Sequence, residues 1–319
     1  MKAIQVRQPG GPEALEYVDV PQPEPGTGQA VVRIEAAGIN FIDIYHRTGL
    51  YPLPIPFTPG SEGAGVVEAV GPGVTEVQVG DRVAFFHPGS YAERAVVPAA
   101  KLVPVPAGID ARTAAAALLQ GLTAHYLTAS TFPLKGGEKI LIHAAAGGVG
   151  GILTQMAKAR GAWVFATAST SKLDVVREYG ADRVIDYTTE DFRSIILDET
   201  ASTGLDVVYD SVGQSTFNGS LDCVRTRGTL VMYGQSSGPV PPVDLLSLSR
   251  KSIYLTRPTL GHYVATREEL LWRSRELFDD ILSGAVRIRI DQELSLGEAD
   301  EAHRLLEGRQ TVGKLILIP

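Results

Sequence analysis

The chain has 319 residues, room for about two domains at roughly 150 residues each. A hydrophobic share of 44% and a charged share of 20% are those of an ordinary globular protein, which excludes disorder over most of the length. The net charge of −7 offers no general attraction to nucleic-acid phosphates or anionic lipid. The single Cys223 excludes an intrachain disulfide and a cysteine-built zinc site.

The opening, Met1 to Gly11, reads as a short strand running into a turn and lacks the apolar core of a signal peptide, so a cytoplasmic protein is expected. Ala30–Ala36 alternates as a half-buried strand does. Gly63–Val70, Arg82–Phe86 and Tyr91–Val97 follow, separated by glycine and proline turns, a pattern that predicts a compact barrel-like domain. Two runs carry no charge, Thr113–Leu134 and Ile140–Ala157. Gln120, Gly121, His125 and Pro133 break the first; Gly147, Gly148, Gly150 and Gly151 break the second. Both are expected as buried core rather than membrane spans.

From about residue 122 short apolar strands alternate with helices. The strands are Lys139–His143, Ala162–Thr167, Arg183–Ile185, Asp206–Tyr209, Thr229–Tyr233 and Ser252–Thr256. Six such strands predict a doubly wound parallel sheet in an α/β protein. In the tail, Thr266 to Glu269 is a capping-box pattern opening a helix that Gly284 ends. Gly313–Ile318 reads as a closing strand whose expected host is the N-terminal sheet. The domains are thus expected at 1–121, completed by 262–319, and at 122–261.

The chemistry begins at Ala144 to Gly150. This glycine turn follows a strand and opens a helix, the context a dinucleotide fingerprint requires. Gly147 and Gly150 stand where the second and third glycines belong; Ala145 replaces the first. Gly147 lets the backbone approach the pyrophosphate, and Gly150 lets helix and strand pack closely. The free N–H groups at the helix start, through Ala146, Gly147, Gly148, Val149 and Gly150, then favour phosphate. An NAD site usually carries an acid about 20 residues on, at the end of the second strand. Here Thr167 to Lys172 contains none. Ser169 and Lys172 could hold a 2′-phosphate instead, with Tyr187 closing over it, so NADPH is the expected cofactor.

The blocks Ala36–Asp43, Pro59–Gly65, Val79–Val83, His143–Gly150, Tyr209–Gly213 and Thr256–Pro258 resemble the medium-chain dehydrogenase/reductase superfamily. Within it the chain resembles the zinc-free quinone oxidoreductase, zeta-crystallin-like branch, over essentially its whole length. The resemblance implies a GroES-like β-rich catalytic domain beside a Rossmann domain. Zinc-dependent relatives have a ligand cysteine where this chain has Asn40 and a ligand histidine where it has Ser61. Glu62 remains, and no metal is expected. Without a Lewis acid the acceptor should spread the incoming charge itself, as a quinone or conjugated enone does. A hydroquinone oxygen has a pKa of about 10, so water or a weak acid could protonate it.

The resemblance also implies the lining of a crevice between the two lobes. Asn40, Asp43, Tyr45 and Tyr51 are the expected catalytic side chains, with Asn40 also meeting the cofactor. Thr123, Ser211, Val212, Tyr233, Gly234, Gln235, Ser236, Arg257 and Pro258 are expected around the nicotinamide and its ribose, and Lys314 at a cofactor phosphate. The function implied is an NADPH:quinone oxidoreductase. An NADPH-dependent enone or 2-alkenal reductase is the alternative enzyme. A zeta-crystallin-like NADPH- or RNA-binding protein is the non-enzymatic alternative, and the negative charge argues against RNA. A homodimer is expected through the edge strand Ser252–Thr256.

Three other signals are set aside. Gly234 to Gly238 fits G-x-S-x-G with His303 downstream, but Pro239, Pro241 and Pro242 deny the helix a nucleophile elbow needs. His303 and Glu307, one turn apart, are expected as an exposed helix pair. Cys223 is expected as an inert buried thiol.

Overall fold

A computed structural model describes every residue from Met1 to Pro319. The chain divides into two compact units, one of residues 1–120, 266–283 and 288–319, the other of residues 121–265 and 284–287. The second crossing falls at 266 rather than 262. The short helix Leu260–Tyr263 lies in the second unit, where Tyr263 stacks on Tyr126 with ring centroids 4.3 Å apart.

The first unit begins with an antiparallel pair, β1 (Lys2–Gln5) and β2 (Glu16–Asp19). Its main sheet contains β3 (Gln29–Gly38), β4 (Glu62–Val70), β5 (Arg82–Phe86), β6 (Arg94–Pro98) and β7 (Leu102–Pro104). β3 pairs with both β4 and β6, and bulges at Val31/Val32 and Ile34/Ala36 bend it. One face is apolar: Val32, Ile34, Val67, Val83, Phe85 and Val97 close on a single core.

The second unit is built on β8 (Lys139–Ile142), β9 (Trp163–Ala168), β10 (Arg183–Asp186), β11 (Leu205–Asp210), β12 (Val224–Met232) and β13 (Tyr254–Thr256). All pairs are parallel, in the order β10-β9-β8-β11-β12-β13. Buried on both faces, β8 and β9 read as the near-continuous apolar runs a central parallel strand needs. The chain leaves β8 toward β9 on one side and returns at β11 on the other. That reversal opens a crevice at the carboxyl ends of β8 and β11, where such sheets bind ligands.

The tail returns to the first unit. Helix Arg267–Leu282 starts at Thr266, whose hydroxyl accepts from the Glu269 N–H, and Gly284 follows it at φ 80°. Two strands then close the sheet, β14 (Ile290–Ser295) and β15 (Lys314–Ile318). β15 runs parallel to β14 and antiparallel to β3, with Leu317 opposite Ala37. No helix is long and apolar enough to cross a membrane.

Candidate active site

In the second unit the site grows from the end of β8. The His143 N–H donates to the Tyr209 carbonyl and the Ala145 N–H to the Thr167 carbonyl, so the turn is held by strands on both sides. Gly147 caps the helix Gly148–Ala159, whose first N–H groups have no intrahelical partner. The two key glycines differ. A Cβ on Gly150 would run into the Ala144 carbonyl, with the Ala145 Cα at 2.8 Å; a Cβ on Gly147 meets only the Ala144 carbonyl oxygen, at 3.2 Å. Gly150 thus sits where helix and turn touch, while Gly147 is less crowded and lies beside unpaired donors. A pyrophosphate fits there.

The turns after β11, β12 and β13 interlock along the same edge. The carboxylate of Asp210 accepts from the N–H groups of Val212 and Gly213, at 2.8 and 3.0 Å. Ser236 N–H donates to the Ser211 carbonyl and Ser237 N–H to that of Val212. Arg257 donates to the carbonyls of Met232 and Gly234 and to the side chain of Gln235. The Tyr233 hydroxyl is buried without a hydrogen-bond partner; its neighbour Ser211 falls short of bonding geometry, and burial raises the phenol pKa. A cavity of about 330 Å³ lies here, lined by Phe217, Met232, Gln235, Val240, Leu255 and Arg257 among others. Thr123 lies buried in helix Ala111–Tyr126, and Pro258 is half-buried beyond β13.

At the ends of β9 and β10, Ser169 and Lys172 are half-buried, and Tyr187 is 48% exposed. The Tyr187 N–H donates to the Ala168 carbonyl, which sets it beside Ser169. An acid that the sequence reading overlooked stands here. Asp186 ends β10 opposite Ala168. Its oxygens accept from the hydroxyls of Thr170 and Thr188 and from the Thr188 N–H, and those bonds hold its pKa below the usual carboxylate range. The signal was available: strand ends on one parallel edge converge, so the third strand needed the same search as the second.

The first unit buries two linked polar groups. The Lys314 ammonium donates to Glu62 and, at 2.8 Å, to the Asn40 side-chain oxygen. Asn40 donates its amide to Glu62 at 2.9 Å, and Glu62 also accepts from the Leu119 N–H. Beside them, Asp43 accepts from Ser61 (2.5 Å), the Asn40 N–H (2.9 Å) and Tyr91 (3.1 Å). Burial pushes the Asp43 pKa up to about 6, against those hydrogen bonds. Behind Tyr91, His303 Nε2 lies 3.2 Å from the phenol oxygen and Nδ1 lies 3.1 Å from Arg47, which pairs with Glu307. Burial pulls the His303 pKa down to about 3, helped by the Arg47 charge.

Several expectations are corrected here. His303 and Glu307 are no exposed pair: helix Ala299–Glu307 packs Ala299 and Ala302 into the core, and buried Arg47 bridges the two side chains. Lys314 does not face a phosphate. It is 1% exposed, because a buried carboxylate such as Glu62 needs a counter-charge. Asn40, 5% exposed, has both ends of its amide engaged, and Asp43 is 0% exposed. Tyr45 and Tyr51 remain near the surface as an edge-on pair 5.3 Å apart. No three His, Cys, Asp or Glu side chains converge as a metal site. Cys223 is buried, and desolvation lifts its pKa to about 12.

A six-stranded parallel sheet with a glycine turn at its switch point defines a dinucleotide-binding protein of the two-domain α/β class. Residues 26–107 match the family described as alcohol dehydrogenase GroES-like domain, and residues 179–317 the family described as zinc-binding dehydrogenase. The chain is 50% identical to the quinone oxidoreductase of Pseudomonas aeruginosa, over 100% of this chain and 99% of that one. It is 40% identical to a 2-haloacrylate reductase of a Burkholderia species, over 99% and 98%. The Escherichia coli quinone oxidoreductase complexed with NADPH superposes with a TM-score of 0.98, at 42% identity and full coverage of both chains. The chain belongs to the quinone oxidoreductase branch of the medium-chain dehydrogenase/reductase superfamily.

Proposed function

We propose that the protein is an NADPH:quinone oxidoreductase that works without a metal, in the cytoplasm and as a homodimer. The observation that carries this reading is the set of unpaired N–H groups at the start of helix Gly148–Ala159, with the bare backbone of Gly147 beside them. Those N–H groups bind the pyrophosphate. Ser169, Lys172 and Tyr187 hold the 2′-phosphate, while the threonines around Asp186 occupy the acid that would otherwise seek a ribose hydroxyl. The turns 211–213 and 233–236, with Thr123, Arg257 and Pro258, orient the nicotinamide end. When bound, NADPH supplies a hydride from its nicotinamide C4 to the quinone, and water protonates the hydroquinone oxygen.

The donor set supports metal independence. Glu62 is neutralised by Lys314 and accepts a hydrogen bond from Asn40, and Asn40 and Ser61 stand where zinc relatives have ligands. Tyr45 and Tyr51 offer ring faces and edges to a flat acceptor. The homodimer reading rests on β13, which pairs only with β12 and carries Tyr254 at 66% exposure.

The test is NADPH oxidation by 1,4-benzoquinone with EDTA present, repeated with NADH. Turnover with NADPH, retained under EDTA, is expected; loss on chelation or a preference for NADH overturns the reading. The likeness to a 2-haloacrylate reductase favours a second reading, reduction of a conjugated enone. Direct competition between a quinone and an enone for the same NADPH separates the two.

A further inference from the structure

A chain of four hydrogen-bonded side chains lies behind the glycine turn, out of contact with solvent. His143 follows β8 and places Nδ1 2.9 Å from the Thr167 hydroxyl of β9. Its Nε2 lies 3.0 Å from the Ser220 hydroxyl of helix Phe217–Cys223, and Ser220 donates to Asp210 at 2.7 Å. All four are 2% exposed or less, and Phe192 packs edge-on against the imidazole.

The bond directions follow from the donors available. The Ser220 proton goes to the Asp210 carboxylate, so the Ser220 oxygen must accept from His143 Nε2–H. A neutral imidazole has one N–H, so Nδ1 accepts and Thr167 donates. Burial lowers the His143 pKa and keeps it neutral, against the pull of Asp210. The chain ends at backbone. The other Asp210 oxygen holds the N–H groups of Val212 and Gly213, and the Asp210 carbonyl accepts from Tyr233 N–H. Turn 233–237 is bonded in turn to the carbonyls of Ser211 and Val212.

We propose that His143, acting through Ser220 and Asp210, is a positioning residue for the dinucleotide. It sets the turn 211–213, and with it the turn 233–237, against the glycine turn that begins beside it. The inference rests on the reading that this unit binds NADPH. The four residues come from three strand ends and a helix, and each one's freedom is removed by the next. The three turns are thereby held at one spacing before any ligand arrives, which lowers the ordering cost of binding.

The test measures NADPH affinity by fluorescence titration, and kcat at saturating NADPH, in His143→Gln, His143→Asn, Ser220→Ala and the double variant of the last two. Glutamine keeps a donor near the place of Nε2; asparagine does not reach Ser220. Loss of the hydrogen bond is expected to weaken NADPH binding about tenfold in His143→Asn and in Ser220→Ala, with kcat within about twofold of the wild type. His143→Gln is expected within about threefold of wild-type affinity, and the double variant no weaker than its worse parent by more than about twofold. Wild-type affinity in both single variants, equal losses in the glutamine and asparagine variants, or fully additive losses would each overturn the proposal. Should His143→Asn fail to fold, the affinity of Ser220→Ala decides it alone. A wild-type protein that binds no NADPH would overturn the functional reading itself, and this inference with it.

Discussion

In the first unit, buried cations meet carboxylates: Lys314 pairs with Glu62, and Arg47 with Glu307, with the neutral His303 bonded beside Arg47. In the second, the edge of the parallel sheet leaves backbone N–H groups unpaired at a helix start, and the buried side chains behind it brace turns rather than each other's charge. The contrast teaches where a ligand fits. An anion is received where donors are left over and the backbone is bare, not where ions already satisfy one another.

The contrast breaks most visibly at Lys314. Lys314→Met leaves Glu62 buried without its counter-charge, and a loss of about 3–5 kcal/mol is expected by urea unfolding. Retention of wild-type stability would show that the pair is not needed. On the other side, Gly150→Val forces a side chain into the Ala144 carbonyl and should weaken NADPH binding by roughly a hundredfold or more, read by titration. Gly147→Ala, whose Cβ meets only the Ala144 carbonyl oxygen at 3.2 Å, should lower the melting temperature less than Gly150→Val while losing affinity.

The first unit's network also carries a pH signature. His303 has its folded pKa lowered to about 3, so its term adds stability as pH rises from about 3 to the unfolded value of 6.5. Asp43 has its folded pKa raised from 3.8 to about 6, so its term removes stability over that rise. The two oppose each other, and wild-type stability should change little between pH 4.5 and 6.5. His303→Gln unmasks Asp43: its stability should increase on acidification across that range, by about 2 kcal/mol in urea titrations. A flat profile in the variant would count against the raised Asp43 pKa.

Smaller effects sharpen the other side. Lys172→Ala should raise the KM for NADPH about tenfold and leave that for NADH unchanged, in steady-state assays. Tyr51→Phe keeps the ring and loses the hydroxyl, so kcat should stay within about twofold; a larger fall would make Tyr51 a proton donor.

The second unit was the more legible in sequence. Its strands are apolar runs, its turn a local motif, and β8 through β13 lie within two residues of their expected starts, except β12. β12 begins at Val224, five residues before the expected Thr229, because Arg225 to Arg227 extend it with a polar edge that hydropathy does not show. The tail strand was readable as well, since an apolar closing strand needs a sheet. The ionic networks were not. Nothing local tells a buried arginine from an exposed one, and Arg47 meets His303 across 256 positions. Asp186 escaped for a related reason: convergence at a sheet edge belongs to the fold, not to any single segment.

The lysine that neutralises Glu62 stands 252 residues further along the chain. During vectorial synthesis, β4 therefore leaves the ribosome long before the lysine that pairs with Glu62 in the folded protein, and β3 waits as long for β15. The second unit, by contrast, has almost all of its sequence in hand earlier. The expected order of maturation follows: the central segment that forms the second unit becomes compact first, and the first unit locks only when the tail strand arrives. Pulse proteolysis of stalled nascent chains ending before Lys314 would display this as a resistant second unit beside a cleavable first one.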